Sequence, residues 1–441
     1  MLSFRLFVIA FCAFLFILSH QNVFAGDSGV IKLELPDAAA VGMGTAFTGE
    51  ADRPSAVYYN PAGITQIGTE MSAGLTVLQP QMEYKSPTGN TVEMNRDYYI
   101  FPHVYVTTPV IKEKFYVGLG ENSSFGSGND WAANSLSTFT RYSTVKDSFV
   151  NKDYMLEGAY KLNEQWSFGV GVVNDDSKIE KDKALNQYDG NDGDALFKAT
   201  DDAWGFNLAT LFKLNSQNQF GLTYKSPIHH TYEGNLYLSN LDNNVPIFGA
   251  GGYQYAFGGT SFSTKAIQKF TLPQSVTLGY SFKPTSKWKI NFDLEWTDWS
   301  NTKRETTSFP DLSGPLAGLQ SNILSTNNPQ SRDWTSVWSE SLGAEYALTD
   351  KFRIRGGYAH HQTPVPEGTF DTSFPDSNYN AYSTGFGFDL TKNLTIDVTY
   401  SAVFYESRNV VNTVDQAFGA NLSGKYKEFV NIGTATLTYK F

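Results

Sequence analysis

The sequence has almost no cysteine, and its single cysteine, Cys12, lies in an apolar run at the N-terminus. If that run is removed, the mature chain can have no disulfide, no thiol nucleophile and no cysteine-ligated metal. The chain also lacks a cluster of Lys and Arg, and its formal net charge of -11 argues against nucleic acid as a partner. After residue 25 it has no apolar run long enough for a transmembrane helix.

The N-terminal residues have the pattern of a secretory signal peptide. Arg5 supplies the positive charge, residues 6–18 are almost entirely apolar, and Val23-Phe24-Ala25 provides small residues at both critical positions of a cleavage site. We therefore predict a signal peptide over residues 1–25 and a mature chain that begins near Gly26. The alternative is an uncleaved membrane anchor, for which the apolar run is short.

Aromatic residues and glycine are plentiful, with 25 Tyr, 33 Phe, 8 Trp and 38 Gly. A membrane β-barrel produces this combination, because only one face of each strand touches lipid and aromatic girdles mark the two interfaces. A soluble all-β protein could share the composition, so the order of the residues has to decide.

Apolar and polar residues alternate repeatedly after about Gly68. Around Trp288 one face of a strand would carry Trp288, Ile290, Phe292, Leu294 and Trp296, and the other Lys287, Lys289, Asn291, Asp293 and Glu295. Roughly fourteen such segments occur, near 70–84, 97–107, 114–121, 150–160, 165–176, 202–213, 218–232, 270–282, 286–298, 334–347, 351–360, 379–390, 393–405 and 428–441. An even number of strands is typical of single-chain bacterial barrels.

The connections between these segments alternate in length. Short ones lie at 161–164, 283–286, 348–350 and 390–392, and long ones at 121–150, 177–201, 233–269, 299–333, 361–378 and 406–427. In outer-membrane barrels the short turns are periplasmic, and lipid requires a closed sheet because an open edge would leave backbone groups unpaired. We predict an all-β fold, a transmembrane antiparallel β-barrel of about 14 strands over residues 69–441, in the outer membrane of a Gram-negative-type cell. The last strand ends in Phe441, which resembles the signal that barrel-assembly machinery reads.

Residues 26–68 do not follow the alternation. The segment is small and punctuated by glycine, so we predict that it forms a hatch that plugs the lumen. Gly42 and Gly44 suggest a dinucleotide loop, but no strand precedes them and no βαβ unit surrounds them, which argues against nucleotide binding.

This segment resembles the N-terminal hatch of the FadL/TodX family of outer-membrane transporters for hydrophobic substrates. The matching residues are Gly42-x-Gly44-x-Ala46-x-x-Gly49-Glu50-Ala51 and Asn60-Pro61-Ala62. The resemblance continues in order along the mature chain, through Phe115, Gly118, 122–126, 158–163, 166–169, Leu272-Pro273, 296–300, 364–366 and Pro375-Asp376.

The resemblance implies a monomeric barrel that passes long-chain fatty acids, or in some branches aromatic hydrocarbons, across the outer membrane. The ligand would be captured among the extracellular loops, bind in an apolar pocket and leave sideways into the lipid through a gap in the wall. It also implies that Asn60, Pro61 and Ala62 form the hatch element near that opening. An ordinary Asn-Pro turn is the alternative reading of these three residues.

The resemblance places the lateral opening at a kink of the third strand. Ser123, Phe125 and Gly126 would form this kink, and Val104 on the neighbouring strand would face the gap. A glycine within a strand can also mark a simple bulge.

For the ligand, Lys181 is the best match to an arginine of the family, a change that keeps the charge but loses the bidentate fork. Arg332 lies only near the position of the family's second cation, and a solvated loop lysine remains the alternative for Lys181. Residues 245–262 are unusually apolar for a loop, which indicates a capture surface with Phe248, Tyr255 and Phe257, or packing on a neighbouring loop.

The sequence contains no catalytic motif, and adjacent histidines such as His229-His230 point in opposite directions along a strand. We therefore predict no enzymatic activity, no metal and no cofactor. The alternative functions are a general diffusion porin, an outer-membrane enzyme such as a lipase, and a secreted soluble sandwich.

Overall fold

The computed structural model describes residue 32 and residues 35–131, 139–187, 191–243, 251–325, 328–413 and 422–441. The predicted signal peptide, residues 1–25, and its cleavage site lie outside the described residues. Among the described residues, no helix combines the length and the apolar character that crossing a membrane requires.

Fourteen antiparallel strands form one closed barrel, in which each strand pairs with the next and the last pairs with the first. The strands are β1 (Glu70–Lys85), β2 (Tyr99–Ile111), β3 (Phe115–Asn122 and Gly126–Asp130), β4 (Lys146–Lys161), β5 (Trp166–Leu185), β6 (Gly193–Lys213), β7 (Asn218–Lys225 and Ile228–Ser239), β8 (Phe262–Leu272 and Gln274–Phe282), β9 (Trp288–Asp298), β10 (Val337–Ala347), β11 (Phe352–His361), β12 (Tyr379–Asp389), β13 (Leu394–Tyr405) and β14 (Gly424–Lys440). The predicted all-β barrel of 14 strands is confirmed.

Short elements complete the described part of the chain. Two-residue and three-residue strands lie at Thr91–Glu93, Arg304–Glu305, Thr307–Ser308, Gln330–Ser331 and Arg408–Val410. The α-helices are α1 (Ala38–Gly42), α2 (Ala56–Tyr59), α3 (Tyr253–Phe257) and α4 (Ala317–Leu324), and 3-10 helices lie at Pro61–Gln66, Phe139–Tyr142, Trp299–Asn301 and Glu367–Thr369.

The faces of β9 show how the predicted alternation is used. Trp288 and Phe292 on the outer face are 43% and 42% exposed, whereas Asn291 and Asp293 on the inner face are 0% and 5% exposed. A soluble protein buries its apolar face, so this inverted arrangement requires an apolar surrounding. The same exposure is found on other strands, at Leu119, Leu156, Val170, Leu208, Leu222, Leu278, Leu342, Tyr382 and Tyr400.

Five strands, β4 to β8, are longer than the alternation predicted. The predicted long loops 121–150, 177–201 and 233–269 are partly wrong, because β4 begins at Lys146, β5 continues to Leu185 and β6 begins at Gly193. On β6 the inner residues of this extension, Ala195, Phe197 and Ala199, are apolar, whereas the outer residues Lys198 and Thr200 are polar. The apolar-out pattern that marks a lipid-facing strand therefore stops before the strand does.

Residues 35–67 lie inside the barrel, against its inner face. Asp293 of β9 accepts hydrogen bonds from the backbone N–H groups of Phe47 at 3.0 Å and Thr48 at 2.8 Å. On β11, a Cβ atom at Gly357 would lie 2.0 Å from the backbone nitrogen of Gly44, so this close approach requires glycine. Polar inner faces and glycines thus allow the segment to pack against the wall.

Candidate functional site

The wall of the barrel is interrupted where β3 leaves β2. The first part of β3 pairs with β2 as far as Glu121, opposite Val104, whereas the second part, Gly126–Asp130, pairs with β4. Between the two parts, residues 123–125 of β3 stand opposite only two residues of β4, Asn151 and Lys152. The extra residue is a β-bulge, which bends its strand.

Side-chain hydrogen bonds replace the missing ladder at this bulge. The Ser123 hydroxyl donates to the Asn151 carbonyl oxygen at 2.7 Å, and the Phe125 N–H donates to Asn151 Oδ1 at 2.9 Å. All five residues of Gly126–Asp130 are buried on both faces of the strand, which indicates that this part bends into the barrel. Ser123, Phe125 and Gly126 therefore lie at a real break, while their role in transport stays a prediction.

The surroundings of the break include residues from both sides of the wall. Val104 lies half-buried on the outer face of β2. It pairs with Glu121, and beyond this pair β3 leaves β2. Phe125 stacks edge-on against Trp299, with ring centroids 6.1 Å apart, and its backbone forms a bridge with Lys32. The N-terminal segment and the loop after β9 thus meet at the break.

The Asn60-Pro61-Ala62 element packs against β5, β6 and β7. Asn60 is fully buried, and its amide donates to the carbonyl oxygens of Thr48 at 2.9 Å and Thr210 at 3.1 Å. Its Oδ1 accepts from the Ala62 N–H at 3.1 Å and so caps the 3-10 helix that follows. Asn60 therefore acts structurally as a helix cap, and its predicted position near the opening stays a prediction.

The residues of the N-terminal segment that lie under β3 are Val57 and Ile64. A Cβ atom at Gly118 of β3 would lie 2.5 Å from Val57 Cγ2 and 3.5 Å from Ile64 Cδ1. A Cβ atom at Gly120 would lie 2.9 Å from Val57 Cγ1. Val57 could not be identified from the sequence, because an apolar residue in a short helix carries no signal for a wall contact.

A cavity of about 250 Å³ lies within the extensions of β5 to β8. One part of its lining is apolar and consists of Ala184, Leu185, Ala195, Phe197, Leu236, Leu238, Tyr253, Phe309, Ile323 and Leu324. The other part is polar and charged and includes Asp147, Lys181, Glu305, Gln330, Arg332, Asp371 and Ser373. Such a cavity fits a molecule that has an apolar body and one polar end.

The charged end of the cavity brings together residues that are distant in the sequence. Lys181 forms an ion pair with Glu305, and Arg332 Nη2 lies 2.9 Å from Glu305 Oε2. Arg332 Nη1 lies 3.5 Å from Asp371 Oδ2. Both cations also lie over the ring of Phe374, at 5.1 Å for Arg332 and 5.7 Å for Lys181.

Glu305 is ionised in this environment. Burial alone would favour its neutral form, but the positive charges of Arg332 and Lys181 outweigh burial and lower the pKa of Glu305 to about 2. The cluster therefore contains two cations and at least one fixed carboxylate at neutral pH.

Of the three loop residues predicted to capture the ligand, the two that the structure describes differ in how exposed they are. Phe257, in α3, is buried and packs against Phe262 with ring centroids 4.9 Å apart, while Tyr255 is 52% exposed. Of this region, Tyr253 lines the cavity, and Phe248 lies outside the described residues. Phe257 therefore packs on neighbouring elements, which was the alternative prediction for this loop. Capture of the ligand by Tyr255 stays a prediction.

Most of the cavity has no signal in the sequence. Of its charged residues, the sequence points to Lys181 and only loosely to Arg332, and it gives no indication of Glu305, Asp371 or the apolar lining. A charged residue in a polar loop has no distinguishing pattern, so these residues could be found only after the strands were placed.

Residues 28–441 match the family described as outer membrane protein transport protein (OMPP1/FadL/TodX). The long-chain fatty acid transport protein of Escherichia coli (strain K12) is 25% identical over 418 residues, which cover 85% of this chain and 88% of that protein. Outer membrane protein P1 of Haemophilus influenzae is 23% identical over 429 residues, which cover 86% of each.

Two solved structures have a similar fold. A Pseudomonas aeruginosa FadL homologue aligns with a TM-score of 0.78 at 17% identity, covering 93% of this chain and 100% of that one. The toluene transporter TodX of P. putida aligns with a TM-score of 0.70 at 16% identity, covering 94% of this chain and 99% of that one.

Proposed function

Because the chain belongs to the OMPP1/FadL/TodX family of outer membrane transport proteins, it is an outer-membrane transporter for hydrophobic compounds, and we propose that its substrates are long-chain fatty acids. The prediction that the chain is not an enzyme agrees with this family, whose members are transport channels. The observation that carries the proposal is one cavity with an apolar wall and two cations, Lys181 and Arg332, at one end.

Each part of this cavity suits one part of a fatty acid. The apolar lining, with Phe197, Leu236 and Leu238, would cover the hydrocarbon tail, which gains about 0.8 kcal/mol for each buried CH₂. Lys181 and Arg332 would bind the carboxylate, and the exposed Tyr255 would first capture the ligand among the loops.

The route from the cavity is the second part of the proposal. Residues 26–68 act as a hatch, with Asn60, Pro61 and Ala62 fixing one of its turns, so that a direct aqueous path along the barrel axis is blocked. The ligand leaves sideways at the β3 break, past Ser123, Phe125, Gly126 and Val104, into the lipid. The buried contacts of Asn60 and the bulge opposite Asn151 support this route.

The barrel closes through β14 and β1, so it has no open edge that a second copy would need to cover. This closure supports a transporter that acts as a monomer surrounded by outer-membrane lipid, without a cofactor.

An aromatic-hydrocarbon channel is the second candidate, favoured by the fold shared with the toluene transporter TodX. A hydrocarbon has no group for Lys181 or Arg332 to bind, so the two cations would contribute nothing to its affinity. A general diffusion porin is disfavoured by residues 35–67 inside the barrel, and it would give large steady ion currents in a planar bilayer.

Oleate binding to the purified protein in detergent tests the proposal. Lys181→Ala should weaken oleate binding by about tenfold, because one partly buried cation at the head-group end is lost. Lys178→Ala is the matched control, since Lys178 lies three residues earlier on β5 with its side chain 56% exposed on the outer face. Toluene binding should be equal in all three proteins.

If both lysine variants bind oleate as the unaltered protein does, Lys181 is not part of the site. If oleate fails to bind while toluene binds, the aromatic-hydrocarbon channel replaces the fatty-acid transporter.

A further inference from the structure

The cations at the head-group end of the cavity are already paired with carboxylates of the protein. Lys181 pairs with Glu305, and Arg332 donates to Glu305 Oε2 through Nη2 at 2.9 Å and through Nε at 3.2 Å. Arg332 also lies 3.5 Å from Asp371. A ligand carboxylate would therefore have to take the place that Glu305 now holds.

The four paired charges at this end of the cavity balance. Lys181 and Arg332 supply two positive charges, and Glu305 and Asp371 supply two negative ones. Asp147 also belongs to this lining, and burial raises the pKa of its carboxyl group, which disfavours a further negative charge. Arg332 and Glu305 are 1% and 9% exposed, so solvent screens their interaction little. An entering carboxylate thus meets no net positive charge unless Glu305 moves away.

Glu305 is attached in a way that allows such a movement. It belongs to the two-residue strand Arg304–Glu305, which pairs with Gln330–Ser331 in a two-stranded sheet that is separate from the barrel sheet. Lys181, by contrast, lies on β5, which is paired on both sides with β4 and β6. Although Thr307–Ser308, just after Glu305, pairs with β8, the Glu305 side chain can move away from the two cations without breaking the barrel sheet.

We infer that Glu305 competes with the ligand's carboxylate for Lys181 and Arg332, so that a fatty acid binds by displacing Glu305 and is expelled when Glu305 returns. This inference rests on the proposed function. A transport site has to release its ligand, and two unopposed cations, Arg332 buried and Lys181 partly buried, would hold a carboxylate too strongly. Glu305 thereby sets both the affinity and the preference of the cavity for acids over uncharged amphiphiles.

The alternative role for Glu305 is to hold the two cations in position. In that case its removal would let Lys181 and Arg332 move apart, and a ligand carboxylate would bind less well. The two roles predict opposite changes in affinity, which makes them separable by one substitution.

The experiment compares oleate with oleyl alcohol, which has the same tail but no charge. In Glu305→Gln, which keeps the size of the side chain, oleate should bind at least about tenfold more tightly than in the unaltered protein, and oleyl alcohol should change by less than about twofold. Asp311→Asn is the matched control, because Asp311 lies exposed on the same loop, outside the cavity lining. It should leave both affinities unchanged.

Release provides a second readout. Bound oleate should dissociate more slowly from Glu305→Gln, and uptake at saturating oleate should not increase. In the unaltered protein, oleate and oleyl alcohol should bind with affinities within about tenfold of each other, a measurement that needs no variant.

Unchanged or weaker oleate binding in Glu305→Gln, or a preference of the unaltered protein for oleate over the alcohol by more than about a hundredfold, would overturn the competition. Failure of both ligands to bind the folded, unaltered protein would instead refute the proposed function.

Discussion

The membrane-embedded part of the barrel and its extension beyond the membrane are built on the same strands with opposite faces. On β5, the outer residues Phe168, Val170 and Val172 are exposed and apolar, whereas further along the same face Asp176 and Lys178 are exposed and charged. The inner face changes from polar to apolar. Glu157 on β4 is a buried inner residue of the embedded part, and Ile179 on β5 is a buried inner residue of the extension. The surroundings of a strand, lipid or water, thus decide which face is apolar.

The difference explains where a hydrophobic ligand can bind. In the embedded part the interior is mostly polar and largely filled by residues 35–67, and the cavity beside Phe125, Met155 and Ile228 measures only about 40 Å³. In the extension many inner residues are apolar, among them Phe197, Leu236 and Leu238, and the larger, partly apolar cavity lies there. The β3 bulge lies at the boundary between the embedded part and the extension, because Asn151, opposite the bulge, pairs with Ser177 of β5.

Gly126→Phe should have the largest effect on oleate uptake, because it places a bulky side chain at the boundary between the embedded part and the extension. We expect uptake of oleate into liposome-reconstituted or cell-borne protein to fall by about tenfold or more, since the route from the cavity to the lipid is narrowed. Gly433→Phe is the control, because a side chain there meets open space on the face of β14 that points outward. Normal uptake by the folded Gly126→Phe protein would refute sideways release.

Leu208→Lys and Thr200→Lys on β6 test the contrast in surroundings directly. Leu208 is 46% exposed on the outer face of the embedded part, where lysine should lower the free energy of unfolding by about 2–4 kcal/mol. Thr200 is exposed on the outer face of the extension, where lysine should change it by less than about 0.5 kcal/mol. Equilibrium unfolding in lipid vesicles measures both, and equal effects would mean that the two faces have the same surroundings.

A smaller, pH-dependent effect is expected at the loop that covers the extension, residues 362–378. Burial raises the pKa of Asp376 to about 7, although the hydroxyl of Thr363 donates to its carboxylate at 2.5 Å. A carboxyl group with a raised pKa in the folded loop destabilises that loop as pH rises from about 4 to about 7, and by a constant amount above that.

Asp376→Asn should therefore protect the loop at pH 8 and have little effect near pH 4. We expect protease cleavage within residues 362–378 to slow several-fold at pH 8 only. The same protection at both pH values would show that the charge of Asp376 does not matter.

The strand count could be predicted from the sequence because each embedded segment has its own apolar face. Trp288, Phe292 and their neighbours give a pattern of period two that depends on nothing else in the fold. The ends of β4 to β8 could not be predicted, since polar residues such as Lys178 and Lys198 on the outer face resemble those of a solvated loop. Identifying them required the pairing with neighbouring strands.

The site was predictable only in part for a related reason. The kink at Ser123, Phe125 and Gly126 and the cation Lys181 could both be predicted only through the family resemblance. Glu305 and Arg332 come from the connection between β9 and β10, Asp371 comes from the connection between β11 and β12, and the three meet only in the folded chain. No local pattern marks such a meeting.

The most direct test of the account is an experimental structure of the protein with bound oleate. The account predicts that the carboxylate lies within hydrogen-bonding distance of Lys181 and Arg332, with Glu305 displaced and the tail along Phe197 and Leu236. Oleate bound elsewhere, or bound in this cavity with the Lys181–Glu305 pair intact, would contradict it.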